Sequence, residues 1–245
     1  MSTFVLVHGA WHGAWCWYKV VPGLERAGHR VVAPDLPSLG SDKTPISQVS
    51  LPLWTDRVCQ VLDAETDPVI LVGHSRGGIV ISEAAEARPE KVQRLVYLCA
   101  FLLRDGESLI EVAQADSESQ IRSHSTIAQE RGQVTIHDEG IQDLFYGECG
   151  AEDVALARVL LQPEALAPLG TPIHTTEERF GRIPRVYIEC LRDKVIGPAS
   201  QKQMYSAVPC EQVLSMDTDH SPFFSAPDEF VAHLLGAARA TATAG

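Results

Sequence analysis

The sequence predicts a doubly wound α/β fold with a mostly parallel sheet of about six strands, interrupted by a single insertion. Three features predict it: short apolar runs rich in Val, Ile and Leu, longer amphipathic stretches between them, and the loss of that rhythm after Ala100. A run that is apolar throughout, rather than alternating, suits a strand covered on both faces, and regular strand–helix alternation builds a parallel sheet. Such sheets bind ligands beyond the carboxyl ends of their strands, so a site is expected in the loops that follow the apolar runs.

In chain order, Phe4 to Val7 reads as the first strand, entered from only a few polar residues, and Cys16 to Ala27 as the first helix. Arg30 to Ala33 is the second strand, followed by an amphipathic helix over Leu51 to Ala64. Val69 to Val72 and Leu95 to Leu98 are core strands flanking a helix over Arg76 to Ala87. From Phe101 to about Gly181 no strong strand is expected, and polar helical stretches at Ser117 to Arg131 and Glu152 to Leu161 take over. The strand–helix alternation then returns with strands at Arg185 to Glu189 and Gln212 to Leu214 and helices at Ala199 to Ala207 and Pro227 to Ala237. The chain therefore divides into a core of residues 1–100 and 182–245 and an insertion of residues 101–181 resting over the sheet. The tail from Arg239, rich in Ala and Thr, has nothing to bury and is expected to fray.

Charge narrows the function. Twenty basic against thirty-two acidic side chains give the 245 residues a net charge of −12. Nucleic acid and anionic membrane surfaces both demand a positive face, so neither is expected as a partner. No cationic segment precedes the first strand and no apolar run approaches the ~20 residues needed to cross a bilayer, which makes a cytoplasmic protein the expectation. Cys16, Cys59, Cys99, Cys149, Cys190 and Cys210 are scattered, without a Cys-x-x-Cys pair or a short Cys/His cluster. They read as thiols in a reducing compartment, and neither a metal nor a cofactor is expected. A small-molecule substrate is the expected partner, and a homodimer is left open.

The strongest motif is Gly73-His74-Ser75-Arg76-Gly77-Gly78, directly after one apolar run and directly before a helical stretch. That setting makes G-x-S-x-G a nucleophile elbow, in which a serine on a tight strand-to-helix turn projects its oxygen out of the backbone. The flanking glycines remove Cβ atoms that would clash in so sharp a bend. A serine hydroxyl is a weak nucleophile and needs a histidine base, which itself needs a carboxylate to fix its tautomer and offset its charge. Of nine histidines, only His220 lies after the last strand and ahead of the closing helix. His8, His12 and His74 border the same region but suit loop packing, and His124, His137 and His174 fall in the insertion. Asp193, just beyond the penultimate strand, is the best-placed acid; Asp217 and Asp219 are rivals by proximity to His220 in sequence. The order Ser, acid, His is that of α/β hydrolases. Backbone N–H groups of Arg76, after the nucleophile, and of Ala10, in the turn after the first strand, are the expected oxyanion donors.

Taken together, His8-Gly-Ala-Trp-His-Gly-Ala-Trp-Cys-Trp-Tyr, Ala27-Gly-His-Arg-Val, the Gly73 elbow, Phe145-Tyr-Gly-Glu-Cys149, Glu178-Arg-Phe-Gly181, Val186-Tyr-Ile-Glu-Cys190-Leu-Arg-Asp-Lys and Asp219-His220 resemble a known family. It is that of the α/β hydrolases related to plant methyl-salicylate esterases and hydroxynitrile lyases, with bacterial carboxylesterase and pyrethroid-hydrolase relatives. The resemblance runs from the first strand to the final helix. It implies an α/β-hydrolase fold with a helical cap, a catalytic triad of Ser75, Asp193 and His220, no cofactor, and pocket roles for Trp11, Phe145, Val195 and Ile196. The lyases of that family carry a threonine and a lysine where this chain has Ala10 and Ser221, and often a glutamate where it has His74. Without a cation for departing cyanide, the lyase alternative falls behind hydrolysis. A ligand receptor built on the same pocket is the other alternative. The expectation is a serine carboxylesterase acting through an acyl-enzyme on small to medium apolar esters.

Overall fold

The computed structural model describes residues 1–240. Its strands are β1 (Thr3–Val7), β2 (Arg30–Val32), β3 (Val69–His74), β4 (Val92–Leu98), β5 (Ser125–Ala128), β6 (Gln133–Ile136), β7 (Glu164–Ala165), β8 (Arg185–Cys190) and β9 (Gln212–Met216). Its α-helices are α1 (Val21–Arg26), α2 (Leu51–Ala64), α3 (Gly77–Ala87), α4 (Leu109–Ala115), α5 (Asp138–Phe145), α6 (Ala151–Leu160), α7 (Pro198–Ala207), α8 (Pro222–Ser225) and α9 (Pro227–Ala240). The main sheet has six strands in the order β2-β1-β3-β4-β8-β9, and every pairing in it is parallel. This is the α/β-hydrolase arrangement expected from the motifs.

Burial follows the apolar pattern. Every residue of central β3 is buried, whereas edge strand β2 has none buried and β9 only Met216. Helices α2 and α3 pack together, α1 packs on α9, and α3 and α9 each touch β4. The register aligns the carboxyl ends: Val7 sits opposite Gly73, His74 opposite Leu98, Leu98 opposite Ile188, and Cys190 opposite Met216. The loops after β1, β3, β8 and β9 therefore emerge along one edge, and those are the loops carrying Ala10, Ser75, Asp193 and His220. No described helix is long and apolar enough to cross a membrane.

Three expectations are corrected. The stretch Cys16 to Ala27 is not one helix but a 3-10 turn over Ala14–Trp17 followed by α1. Pro22 lacks the N–H that a helix interior requires and is tolerated only in a first turn, so the α-helix starts at Val21. The segment 101–181 is not free of strands, and Ser117 to Arg131 is not one helix but 3-10 turns at Ile121–His124 and Gln129–Arg131 on either side of β5: β5 and β6 form an antiparallel hairpin, extended by β7 into a second sheet. Gly132, at φ +61°, supplies the left-handed turn residue of that hairpin, and the β-branched residues Thr126, Ile127, Val134, Thr135 and Ile136 favour pleated backbone. Helix α9 continues through Arg239 to Ala240, so the start of the tail is helical, and the rest of it lies outside the described residues. The stretch at Glu152 to Leu161 does fold as a helix, α6.

Candidate active site

The turn between β3 and α3 is held at both ends. The Ser75 amide donates to the Leu98 carbonyl at 3.2 Å, and the Ser75 carbonyl accepts from Gly78 and Phe101, each at 3.0 Å. Ser75 has φ +53°, a left-handed conformation that costs a non-glycine residue of order 1 kcal/mol and persists only where surrounding bonds enforce it. The glycines are required by space: a Cβ on Gly77 would lie 2.8 Å from the Val7 carbonyl oxygen, and one on Gly78 only 2.3 Å from that of Phe101.

His220 and Asp193 are brought together as the sequence order implied. Nδ1 of His220 lies 2.6 Å from Oδ2 of Asp193, with both side chains essentially sealed from solvent. The other carboxylate oxygen of Asp193 accepts from the amides of Val195 and Ile196 at 2.7 and 3.0 Å, and Gln201 on α7 donates to Oδ2 at 3.4 Å. The carboxylate is thus oriented from three sides. Neither rival acid reaches the imidazole. Asp217 is exposed and paired with Arg192, while Asp219 accepts from the amides of Glu148 and Ser221 and the hydroxyl of Ser225. His74 joins the two halves of the site: its Nε2 donates to the His220 carbonyl at 2.9 Å, and its ring lies 4.6 Å from that of His220.

The turn after β1 approaches the elbow closely, since a Cβ on Gly9 would lie 3.0 Å from Cβ of Ser75 and 2.7 Å from Nδ1 of His74. The amides of Ala10 and Arg76 donate to no acceptor among the described residues, which leaves both available to a ligand. Two neutral histidines stiffen this turn. His8 donates from Nδ1 to the Gly9 carbonyl and accepts the Leu36 amide at Nε2. His12 donates from Nδ1 to the Ala10 carbonyl and accepts the Tyr146 hydroxyl at Nε2. Burial lowers their pKa values to about 3 and about 4, and burial also holds His74 well below its ordinary value. All three are therefore packing groups rather than proton carriers at neutral pH.

Of the four pocket candidates, Trp11 and Phe145 face each other with ring centroids 5.7 Å apart, and Phe145 lies 5.9 Å from the ring of His220. Val195 and Ile196 are buried on the Asp193 loop and tied to that carboxylate through their amides. The site is closed over, with Ser75 only 4% exposed. A cleft of about 550 Å³ opens elsewhere, between α4 and α7, and contains none of these residues. His74, Cys99 and His220 bring potential metal-ligating atoms within 4.8 Å of one another. His74 and Cys99 both donate to the His220 carbonyl, so the cluster is already knitted together by its own hydrogen bonds.

Sequence reasoning missed Glu164. It is fully buried on β7, accepts the Trp11 amide at 2.8 Å, and lies 3.4 Å from the guanidinium of Arg76, whose own side chain is buried over the face of Trp54. The signal was an arginine inside the elbow motif: if its side chain turned inward it would need a buried counter-ion. Tyr146, the partner of His12, was missed because its hydroxyl acquires its role only through a contact spanning 134 residues.

Such an arrangement can activate a hydroxyl by general base and hold developing negative charge on backbone amides. Known proteins resemble the chain over most of its length. Residues 4–233 match the family described as Alpha/beta hydrolase family. Methylesterase 2 of Arabidopsis thaliana is 34% identical over 96% of this chain and 95% of its own length. Putative methylesterase 14, chloroplastic, from the same plant is 33% identical over 96% of this chain, which spans 71% of that longer protein. Among solved structures, a pyrethroid hydrolase from Sphingobium faniae JZ-2 superposes with a TM-score of 0.89 at 31% identity, covering 99% of each chain.

Proposed function

The chain belongs to the Alpha/beta hydrolase family, and from that premise we propose that it is a serine carboxylic ester hydrolase working through an acyl-enzyme, with Ser75, Asp193 and His220 as its triad. The observation that carries the proposal is the sealed 2.6 Å contact between His220 and Asp193 on the same sheet edge as the strained Ser75 elbow. His220 takes the hydroxyl proton of Ser75 as the oxygen attacks the ester carbonyl, and the amides of Ala10 and Arg76 receive the oxyanion. His220 returns the proton to the leaving alcohol. Water, deprotonated by the same imidazole, then attacks the acyl-enzyme, and Ser75 recovers its proton as the carboxylic acid departs.

Residues 101–181 act as the cap in this reading, supplying Phe145 opposite Trp11. Aromatic walls around a closed site, on a protein of net charge −12, suit small to medium neutral esters with apolar parts, and the names of the relatives point to methyl esters and pyrethroids. The cytoplasm is the compartment this reading assigns, in keeping with six free cysteines. Ser75→Ala should abolish p-nitrophenyl butyrate turnover while leaving the circular dichroism spectrum and unfolding midpoint intact. Full activity in that variant would sink the triad.

A further inference from the structure

The oxyanion donors proposed above sit within a buried ion pair that the family motifs do not announce. Arg76 contributes its backbone amide as one donor, but its side chain turns inward and its Nη2 donates to the Gly9 carbonyl at 3.0 Å. That carbonyl belongs to the peptide unit whose N–H is the Ala10 amide, the other donor. In a trans peptide the C=O and N–H point in opposite directions, so a donor fixed on the carbonyl fixes the N–H on the far side. A charged donor on the carbonyl also polarises the unit and strengthens its N–H as a hydrogen-bond donor. The same Nη2 lies 3.4 Å from Oε2 of Glu164, and that single oxygen accepts the Trp11 amide at 2.8 Å. Trp11 has φ +62°, a conformation a tryptophan keeps only under restraint. Both neighbours of Ala10 are thus held by one pair, and both partners of the pair are buried, with side-chain exposures of 1% and 0%.

We propose that Arg76 and Glu164 form a clamp that positions the oxyanion hole, with the Arg76 guanidinium orienting and polarising the Gly9–Ala10 peptide and Glu164, carried by the cap strand β7, anchoring both Arg76 and Trp11. The clamp rests on the esterase reading and deepens it: Glu164 and the Arg76 side chain are positioning groups that act through the amides of Ala10 and Arg76. Their joint geometry explains why so costly a pair occupies the interior. Nε and Nη1 of Arg76 and Oε1 of Glu164 are buried without partners, and a buried pair with unmet hydrogen bonds is a poor source of stability. Beside the His8 bond to the same Gly9 carbonyl, what the pair provides is a charged donor on that peptide and an anchor for Trp11.

The test uses the full-length protein with p-nitrophenyl butyrate as substrate and an alkyl trifluoromethyl ketone as probe, because the ketone places an oxyanion in the hole only after Ser75 adds to it. Arg76→Met should lower kcat by about 10- to 100-fold, less than or equal to the loss of a whole oxyanion donor, with KM within about threefold. Affinity for the ketone should fall in parallel with kcat/KM. Each single variant leaves a buried charge unpaired and is expected to unfold at lower urea, so the double variant Arg76→Met with Glu164→Leu separates stability from positioning. Removing both charges should restore the urea midpoint while kcat and ketone affinity remain at the level of Arg76→Met. The clamp is overturned if kcat and ketone affinity recover along with stability in the double variant, or if Arg76→Met folds normally with both unchanged. Ser75→Ala run alongside separates the two levels: turnover surviving in it overturns the esterase reading and the clamp together, whereas its loss beside an Arg76→Met variant with undiminished kcat and ketone affinity overturns the clamp alone.

Discussion

Acidification should destabilise this protein well before its carboxylates titrate, because buried histidines around the β1 turn are held neutral. In His8 the hydrogen bonds use both ring nitrogens of one tautomer: Nδ1 donates to Gly9 and Nε2 accepts from the Leu36 amide at 3.2 Å. A second proton would set an N–H against an N–H. His12 repeats the pattern, with its Nε2 accepting the Tyr146 hydroxyl at 2.6 Å. Burial is the largest cause in both, and the charge of Arg76 acts in the same direction, leaving pKa values of about 3 for His8 and about 4 for His12. The unfolded chain binds these protons near pH 6.5, so over the interval between, the unfolded state holds protons that the folded state refuses, and stability falls as pH falls. At about pH 8 neither state is protonated. At about pH 5 each histidine favours the unfolded chain by about 2 kcal/mol, or about 4 kcal/mol for the two, a large share of the 5–15 kcal/mol typical of a domain. Urea unfolding followed by tryptophan fluorescence at intervals from about pH 8 to pH 5 reads this directly. His74, held well below its ordinary value by burial, adds to the loss in the same direction, so replacing His12 by Gln should remove about a third of the slope. A stability that stays constant within about 1 kcal/mol over that range would refute the assignment of neutral, doubly bonded imidazoles.

Asp193→Asn should keep the fold and reduce kcat by roughly 10⁴-fold, as the loss of the orienting carboxylate does in serine triads, while Asp219→Asn should cost less than about tenfold because its oxygens face Glu148 and Ser225 rather than the imidazole. Stopped-flow or steady-state ester hydrolysis decides between them, and the reverse ranking would move the acid to Asp219. Gly78→Ala forces a Cβ to within 2.3 Å of the Phe101 carbonyl oxygen, whose own amide donates to Ser75, so it should destabilise by about 1–3 kcal/mol and lower kcat as well. A variant with unchanged urea midpoint and kcat would show that the turn can yield.

The parts of this molecule legible in its sequence are those whose signal is local. Val69 to Val72 is apolar without interruption, and only a strand covered on both faces needs that, so β3 and its neighbours could be placed. Because a parallel sheet sends every carboxyl end to one edge, placing strands also placed the loops of Ala10, Ser75, Asp193 and His220 together. The hairpin of β5 and β6 was hidden because strands of four residues with polar and apolar positions intermixed carry little periodicity, and Ser and Gln text reads equally well as a surface helix. Helix α4 went unread: Ser108 and Glu111 form a capping box at its start, but a seven-residue helix has too few turns to show a stripe. Glu164 and Tyr146 were illegible for a different reason. Their roles come from partners more than 80 residues away, and no spacing rule connects a glutamate on a two-residue strand to an amide in the first loop.

On the proposed reading of residues 101–181 as a cap over a triad of Ser75, Asp193 and His220, the way that segment is attached determines what substitutions in it will do. Its contacts to the catalytic loops are directional. Trp11 is bound through its carbonyl to Gln162, through its amide to Glu164 and through its indole N–H to Val134. Asp219 accepts from Glu148, and the loop of Asp193 is held where Gln120 and Ser119 donate to the carbonyls of Lys194 and Val195 and where Gly197 donates to Asp116. An apolar cover resting on the sheet could slide by an ångström at little cost, since dispersion and burial depend weakly on direction, whereas hydrogen bonds weaken steeply once bent. A cap seated in this way cannot change its pose without pulling on the oxyanion turn, the acid loop or the base loop. Substitutions on its inner wall, such as at Phe145, should therefore act mainly on KM and substrate choice. Removing the side-chain anchors Glu164, Ser119 or Asp116 should act on kcat at unchanged substrate preference, and that contrast between two sets of cap residues is measurable with a single panel of esters varied in acyl and alcohol parts.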